Sequence, residues 1–310
     1  MDNELDKLEL SIENELEESS IDNVFPTVIK LPLGLELACS ETYNISSCED
    51  STFIILAGSI GCGKTTLIVS IYNQMFQNKM GKRYFFAGSK TLQAFEERAY
   101  YTRTMSNQSQ PNMQRTISGT LDSILHLRLL DQKNDTYKNL LLADFSGEDF
   151  DNVASNIEVA KEDFKIVKSS KILVLLLDGE KICNNYRHKE VQKCIHLLRT
   201  FSDANILNKK VKILAIVSKY DLILKENNEE IFEFVNDIQN KISEQIPQLK
   251  SKIEFLKIAA MPVSENDINV GFGVEELVDL LLAKDENKIV AFETITPRSQ
   301  FNLYSRRHIK

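Results

Sequence analysis

The sequence predicts an α/β fold, a three-layer α/β/α sandwich built on a mostly parallel central sheet with one antiparallel hairpin strand. Three observations carry that expectation. Apolar runs of strand length alternate with segments of helical character, the pattern left by buried parallel strands and their crossover helices. A glycine-rich turn joins one such run to a helix-like stretch. Two other runs end in polar clusters with a carboxylate, at the strand ends where α/β sheets bind ligands.

In chain order, residues 1–22 hold nine acids against Lys7, with Leu5, Leu8, Ile12 and Leu16 at helical spacing. This head is either an amphipathic helix that docks on a partner or on the domain, or a solvated tail. Residues 23–49 read as a connecting arm, because Pro26, Pro32 and Gly34 interrupt Phe25 to Ser47 and no period is sustained. The main domain is expected over residues 50–284. Its first strand is Phe53 to Ala57, followed by a loop over 58–66 and a helix through Leu67 to Tyr72. Arg83 to Gly88 reads as a short extra strand, Thr91 to Tyr101 as a short helix, and Ser106 to Pro111 as a polar loop. Leu121 to Leu130 and Leu140 to Ala143 form a predicted β-hairpin about a turn at Asn134-Asp135. Strands at Ile172 to Leu177, Val211 to Val217 and Ile253 to Ala260 alternate with helices over Glu190 to Leu207 and Glu229 to Ile246. The last helix, Val274 to Leu282, is entered through Gly271 and Gly273, and residues 285–310 form an irregular basic tail.

Composition narrows the function classes. The acidic head accounts for the whole net charge of -8, and the rest of the chain carries 36 acids and 36 bases. A neutral body gives no electrostatic footprint for nucleic acid. No apolar run approaches the roughly 20 residues of a membrane span, and the N-terminus is acidic where a signal peptide is basic, so a cytoplasmic location is expected. Cys39, Cys48, Cys62, Cys183 and Cys194 show no ligand spacing and are expected to be reduced thiols.

Residues 58–66, Gly58-Ser59-Ile60-Gly61-Cys62-Gly63-Lys64-Thr65-Thr66, make a complete phosphate-binding loop between strand and helix. The glycines let successive N–H groups turn inward, and the helix adds its positive end to the same cradle. Lys64 is placed to reach β- and γ-phosphates, and Thr65 to ligate the magnesium ion that bridges them. Asp144 ends the run Leu140 to Ala143 and is expected to hold magnesium from the second shell. Gly147, three residues on, is expected to offer its N–H to the γ-phosphate and lose that bond on hydrolysis.

Ser218-Lys219-Tyr220-Asp221 follows the strand ending at Val217. Guanine presents N1–H and its N2 amine side by side, so one carboxylate accepts both, whereas adenine has an acceptor at N1. Asp221 is therefore the expected guanine reader. Lys219 is expected to cover the base face with its stem, and Ser218 to tie this loop to the phosphate loop. The bland reading of Lys219 and Asp221 is an ion pair at a strand end. Ala259 and Ala260 are small enough to let a backbone N–H approach the guanine O6.

The ordered set Gly58-x4-Gly63-Lys64-Thr65, Asp144-x2-Gly147-Glu148, Ser218-Lys219-x-Asp221 and Ala259-Ala260 resembles the motif series of TRAFAC-class GTPases, spanning residues 50–284. Phe86 to Arg98 and Asp144 to Phe150 resemble the double-GTPase type domains of bacterial conflict and defence systems. The resemblance implies a Ras-like P-loop NTPase fold, a GTP/GDP site with Mg2+, a protein partner encoded nearby, and signalling as a molecular switch in bacterial defence.

Two departures matter. Glu148 stands where Ras-like members carry a water-orienting Gln; beside an anionic γ-phosphate its carboxylate predicts slow intrinsic hydrolysis unless a partner assists. The switch threonine expected at the metal is Thr116, with Thr120 as second choice. Arg98, Arg103 and Arg115 lie in the same stretch, each either a cis arginine finger or a solvated side chain. A GTP-dependent adaptor with negligible turnover and a P-loop ATPase stand as the alternative functions.

Overall fold

The computed structural model describes residues 33–77, 83–100, 102–103, 123–154, 156–207, 210–263 and 268–283. Its apolar runs become seven strands: β1 (Ser51–Gly58), β2 (Tyr84–Gly88), β3 (Ile124–Asp131), β4 (Thr136–Asp144), β5 (Ile172–Asp178), β6 (Lys212–Ser218) and β7 (Ile253–Lys257). They form one sheet in the order β2-β3-β4-β1-β5-β6-β7. The β2/β3 and β3/β4 pairs are antiparallel and every other pair is parallel, so β3 alone runs against the rest. The antiparallel hairpin turns at Asn134 and Asp135, and Asp135 takes a left-handed φ of 49° there.

The ten helices that accompany the sheet among the described residues are α1 (Lys64–Phe76), α2 (Leu92–Tyr100), α3 (Gly147–Val153), α4 (Ile157–Asp163), α5 (Gly179–Cys183), α6 (Arg187–Asp203), α7 (Tyr220–Glu226), α8 (Glu229–Asn236), α9 (Ile238–Gln245) and α10 (Val274–Leu282), besides a single turn at Tyr43–Ser46. Strand residues alternate between two cores, as the pleat dictates. Ile54, Leu56, Leu142, Val174, Leu176 and Ile216 pack with α1, α2 and α10, whereas Ile55, Ala57, Ala143, Leu175 and Val217 pack with α3, α4 and α6 to α9. The result is the predicted three-layer sandwich. Because α1 leaves β1 on one face and α3 leaves β4 on the other, a ligand crevice opens at the C-terminal ends of β1 and β4.

Several expectations change in detail. The helix expected over Glu229 to Ile246 is two helices, α8 and α9, broken at Asp237. That side chain accepts from Asn240 Nδ2 at 3.2 Å and pairs with Lys241 at 2.8 Å, a local arrangement that competes with a continuous helix. The strand expected to reach Ala260 leaves the ladder after Lys257, and Ala259 bridges Phe272 instead. The arm is not featureless: Leu37 bridges Ile124, and Cys39–Thr42 forms a 3-10 turn. The acidic head, residues 23–32, the polar loop 106–111 and the basic tail lie outside the described residues. Among the described residues the five cysteines form no disulfide.

Candidate functional site

β1 ends at Gly58, and Gly61 and Gly63 take φ values of 75° and 92°, the left-handed region that lets the chain curl into α1. Gly63 is the residue before Lys64, so the unpaired N–H groups of the first turn of a 13-residue helix open onto the loop. Lys64 is buried, and its ammonium donates to Gly58 O at 2.8 Å and Ser59 O at 3.3 Å. Burial pushes the Cys62 thiol up to about 11, which keeps it a thiol inside the loop.

The β1/β4 register pairs Leu56 with Asp144, which sets the carboxylate beside the phosphate loop. Asp144 is fully buried, and the Thr65 hydroxyl donates to its oxygens at 3.2 and 3.3 Å. Burial pushes the Asp144 carboxyl up, while the nearby Arg98 and Lys64 charges oppose that shift. Arg98 Nε lies 3.5 Å from Asp144 Oδ2. One buried carboxylate beside one hydroxyl suits Mg2+, which takes few protein oxygens and fills its shell with water and phosphate. Among the described residues no cluster of three or more His, Cys, Asp or Glu forms a separate metal cage.

Gly147 opens α3 directly against the phosphate loop. A Cβ on it would stand 2.6 Å from Ile60 N and 2.7 Å from Ile60 Cα, so the two backbones touch here. Ser146 caps this helix by accepting from the Glu148 N–H, and the Glu148 side chain is exposed.

The base-side loop meets the phosphate loop through Ser218. Its hydroxyl donates to Cys62 O at 2.7 Å and Leu177 O at 3.1 Å, making the tie expected from the sequence. Lys219 forms the strand-end ion pair, but with Asp178 (3.0 Å) and Glu180 (2.8 Å) instead of Asp221. Asp221 is buried and accepts from the Val263 N–H at 3.1 Å. A cavity of about 740 Å³ lies between Gly61, Gly63 and Thr66 on one side and Lys219, Asp221, Ala260 and Val263 on the other. That volume is in the range of small-molecule sites. Ala259 does not line it: this residue is fully buried, and its N–H donates to Phe272 O at 3.1 Å.

Thr116, Thr120 and Arg115 lie outside the described residues. Each of the other two arginines is ion-paired, and the Arg103 side chain remains 38% exposed. Arg103 makes a two-pronged pair with Glu96 at 2.6 and 2.9 Å, and Arg98 bridges Asp144 and Glu36. The sequence reading missed a second layer beneath the loop. Ser59 Oγ donates to Glu190 Oε1 at 2.7 Å and accepts from Lys181 Nζ at 2.7 Å, and Glu190 also accepts from the Asp178 N–H. Gly179 packs so closely that a Cβ would sit 2.3 Å from Ser218 O. The run Leu175-Leu176-Leu177-Asp178-Gly179 carried the same strand-end signal that singled out Asp144.

The model of one family, Double-GTPase 2, matches residues 52–282, most of the chain. The chain belongs to the Double-GTPase 2 family. Membership in a GTPase family supports guanine-nucleotide binding. No curated protein matches this double-GTPase chain. Among solved structures, it is similar to the bacterial selenocysteine-specific elongation factor EF-Sec, at 16% identity and a TM-score of 0.36 over 77% of this chain and 30% of that one. It is also similar to Methanosarcina barkeri Roco2 RocCORdC bound to GDP, at 15% identity and a TM-score of 0.37 over 77% of this chain and 51% of that one. The chain thus spans about a third and about half of those two proteins. Among the described residues no helix is long and apolar enough to cross a membrane.

Proposed function

We propose that this Double-GTPase 2 chain is a magnesium-dependent, GTP-hydrolysing switch. The observation that carries this reading is the convergence, on one 740 Å³ cavity, of the phosphate loop with the strand-end loop that bears Asp221. The N–H groups of residues 59–65 and the Lys64 ammonium bind the β- and γ-phosphates. Thr65 and Asp144 hold Mg2+, which when bound with the nucleotide neutralises phosphate charge. Asp221 accepts from guanine N1–H and the N2 amine, the Lys219 stem covers the base, and Ala260 borders it.

Gly147, in contact with Ile60, senses the γ-phosphate and passes its loss into α3. The switch threonine in this reading is Thr116, with Thr120 as second choice. The Glu148 carboxylate keeps intrinsic hydrolysis slow, so turnover awaits a protein partner. A cytoplasmic setting, TRAFAC ancestry and a role in bacterial defence complete the proposal, the last two resting on the sequence resemblance.

Competition between labelled GTP and unlabelled GTP or ATP tests the reading. GTP should displace the label and ATP should not at equal concentration. Asp221→Asn should lose about 1.5–3 kcal/mol of guanine affinity, the range for hydrogen bonds to charged groups. Displacement by ATP, or full guanine discrimination in the variant, would overturn the assignment.

A further inference from the structure

Arg98 stands beside the carboxylate that the proposed function gives to a divalent cation. Its Nε lies 3.5 Å from Asp144 Oδ2, its Nη2 lies 2.6 Å from Glu36 Oε1, and its Nη1 donates to Ala94 O at 3.1 Å. The Arg98 side chain is 16% exposed and that of Asp144 is 0% exposed, so the pair sits where an uncompensated carboxylate is costly. The Lys64 ammonium, by contrast, is turned to Gly58 O and Ser59 O. Arg98 thus brings a full positive charge onto the carboxylate that the proposed function gives to the metal site.

Its other partner is fixed in place. Glu36 belongs to a segment pinned at both ends: Gly34 O accepts from Ala94 N in α2 at 3.0 Å, and Leu37 exchanges two backbone hydrogen bonds with Ile124 of β3. The Glu36 side chain is 35% exposed, so its carboxylate keeps water while it holds the guanidinium. A divalent cation and a guanidinium cannot share the Asp144 carboxylate cheaply. Like charges held this close repel strongly once they are drawn out of bulk water.

We propose that Arg98 is a resident substitute for the divalent cation at Asp144, and that metal loading hands Arg98 wholly to Glu36. The exchange makes Arg98 a residue that sets metal affinity. It also reports metal occupancy to α2 and to the segment that pairs with β3. This inference rests on the metal-bearing GTP site proposed above.

The test is a Mg2+ titration of fluorescent-GDP dissociation from the full chain, beside affinity for the same probe in EDTA. Arg98→Gln should lower the Mg2+ midpoint by about tenfold, the scale of losing one competing ion pair. Arg98→Lys should restore the wild-type midpoint. Glu36→Gln should raise the midpoint because, of the two carboxylates paired with Arg98, only Asp144 then remains. An unchanged or raised midpoint in Arg98→Gln would overturn the proposal. If that variant fails to fold, an unchanged midpoint in Glu36→Gln overturns it equally. Absence of probe binding to the wild type, with or without Mg2+, would instead sink the GTP site itself.

Discussion

At the residue scale, Gly147 leaves no room for even a methyl group. A Cβ there would overlap Ile60 N, Ile60 Cα and Ser59 C, backbone atoms of the phosphate loop that have little freedom to yield. Gly147→Ala should therefore cost about 1–3 kcal/mol, the usual penalty for overpacking, and weaken GDP binding in step because the displaced atoms belong to the cradle. Urea unfolding with and without GDP reads both effects. A variant with wild-type stability and affinity would show that α3 can retreat from the loop. Ser218 has the opposite character, since its hydroxyl satisfies two carbonyls on neighbouring segments and gains nothing from being smaller. None of these contacts is written in local sequence, although the residue types that make them are.

At the scale of elements, the His126 ring ties β3 to both of its neighbours. On β3, its Nδ1 accepts from the Lys90 N–H at 3.0 Å just after β2, and its Nε2–H donates to Asn139 Oδ1 on β4 at 2.8 Å. Burial pulls the imidazole below its usual 6.5, with the Asn139 hydrogen bond opposing and the charges of Lys90, Glu49 and Arg128 around it. The unfolded chain then takes the proton first as pH falls. Stability is whole above about pH 6.5, declines below it, and levels off beneath the folded value. The urea midpoint should drop between about pH 7.5 and pH 5.5, and the drop should shrink in His126→Asn. Equal drops in both proteins would assign the effect elsewhere. The parallel strands were legible because apolar runs such as Val211 to Val217 and Ile172 to Leu177 have one physical use, burial on both faces. Helices α3, α4, α5 and α7 were not, since five to seven residues hold too little of a 3.6-residue period to register. The phosphate loop and Asp221 announced themselves by motif. The Arg98 pair with Asp144 did not, because it joins α2 to β4 across a long sequence gap.

At the scale of the whole molecule, the site gathers the ends of β1, β4, β6 and β7, so a nucleotide that bridges them is bound only by the folded chain. At a hundredfold excess over its dissociation constant, such a ligand adds about 2.7 kcal/mol. For a domain of this size that corresponds to roughly 5–10 °C in Tm. Thermal melts with GDP and Mg2+ should show that rise, and EDTA should remove part of it. No shift with GDP would mean that the loops do not act together. The sheet also has a social consequence. Its outermost strands, β2 and β7, are five residues each, shorter than any strand between them. Each flank offers about 17 Å of ladder, a poor template for a foreign chain seeking to extend it. The proposed partner is therefore expected to arrive over the helices and rim, where a change of nucleotide can be felt.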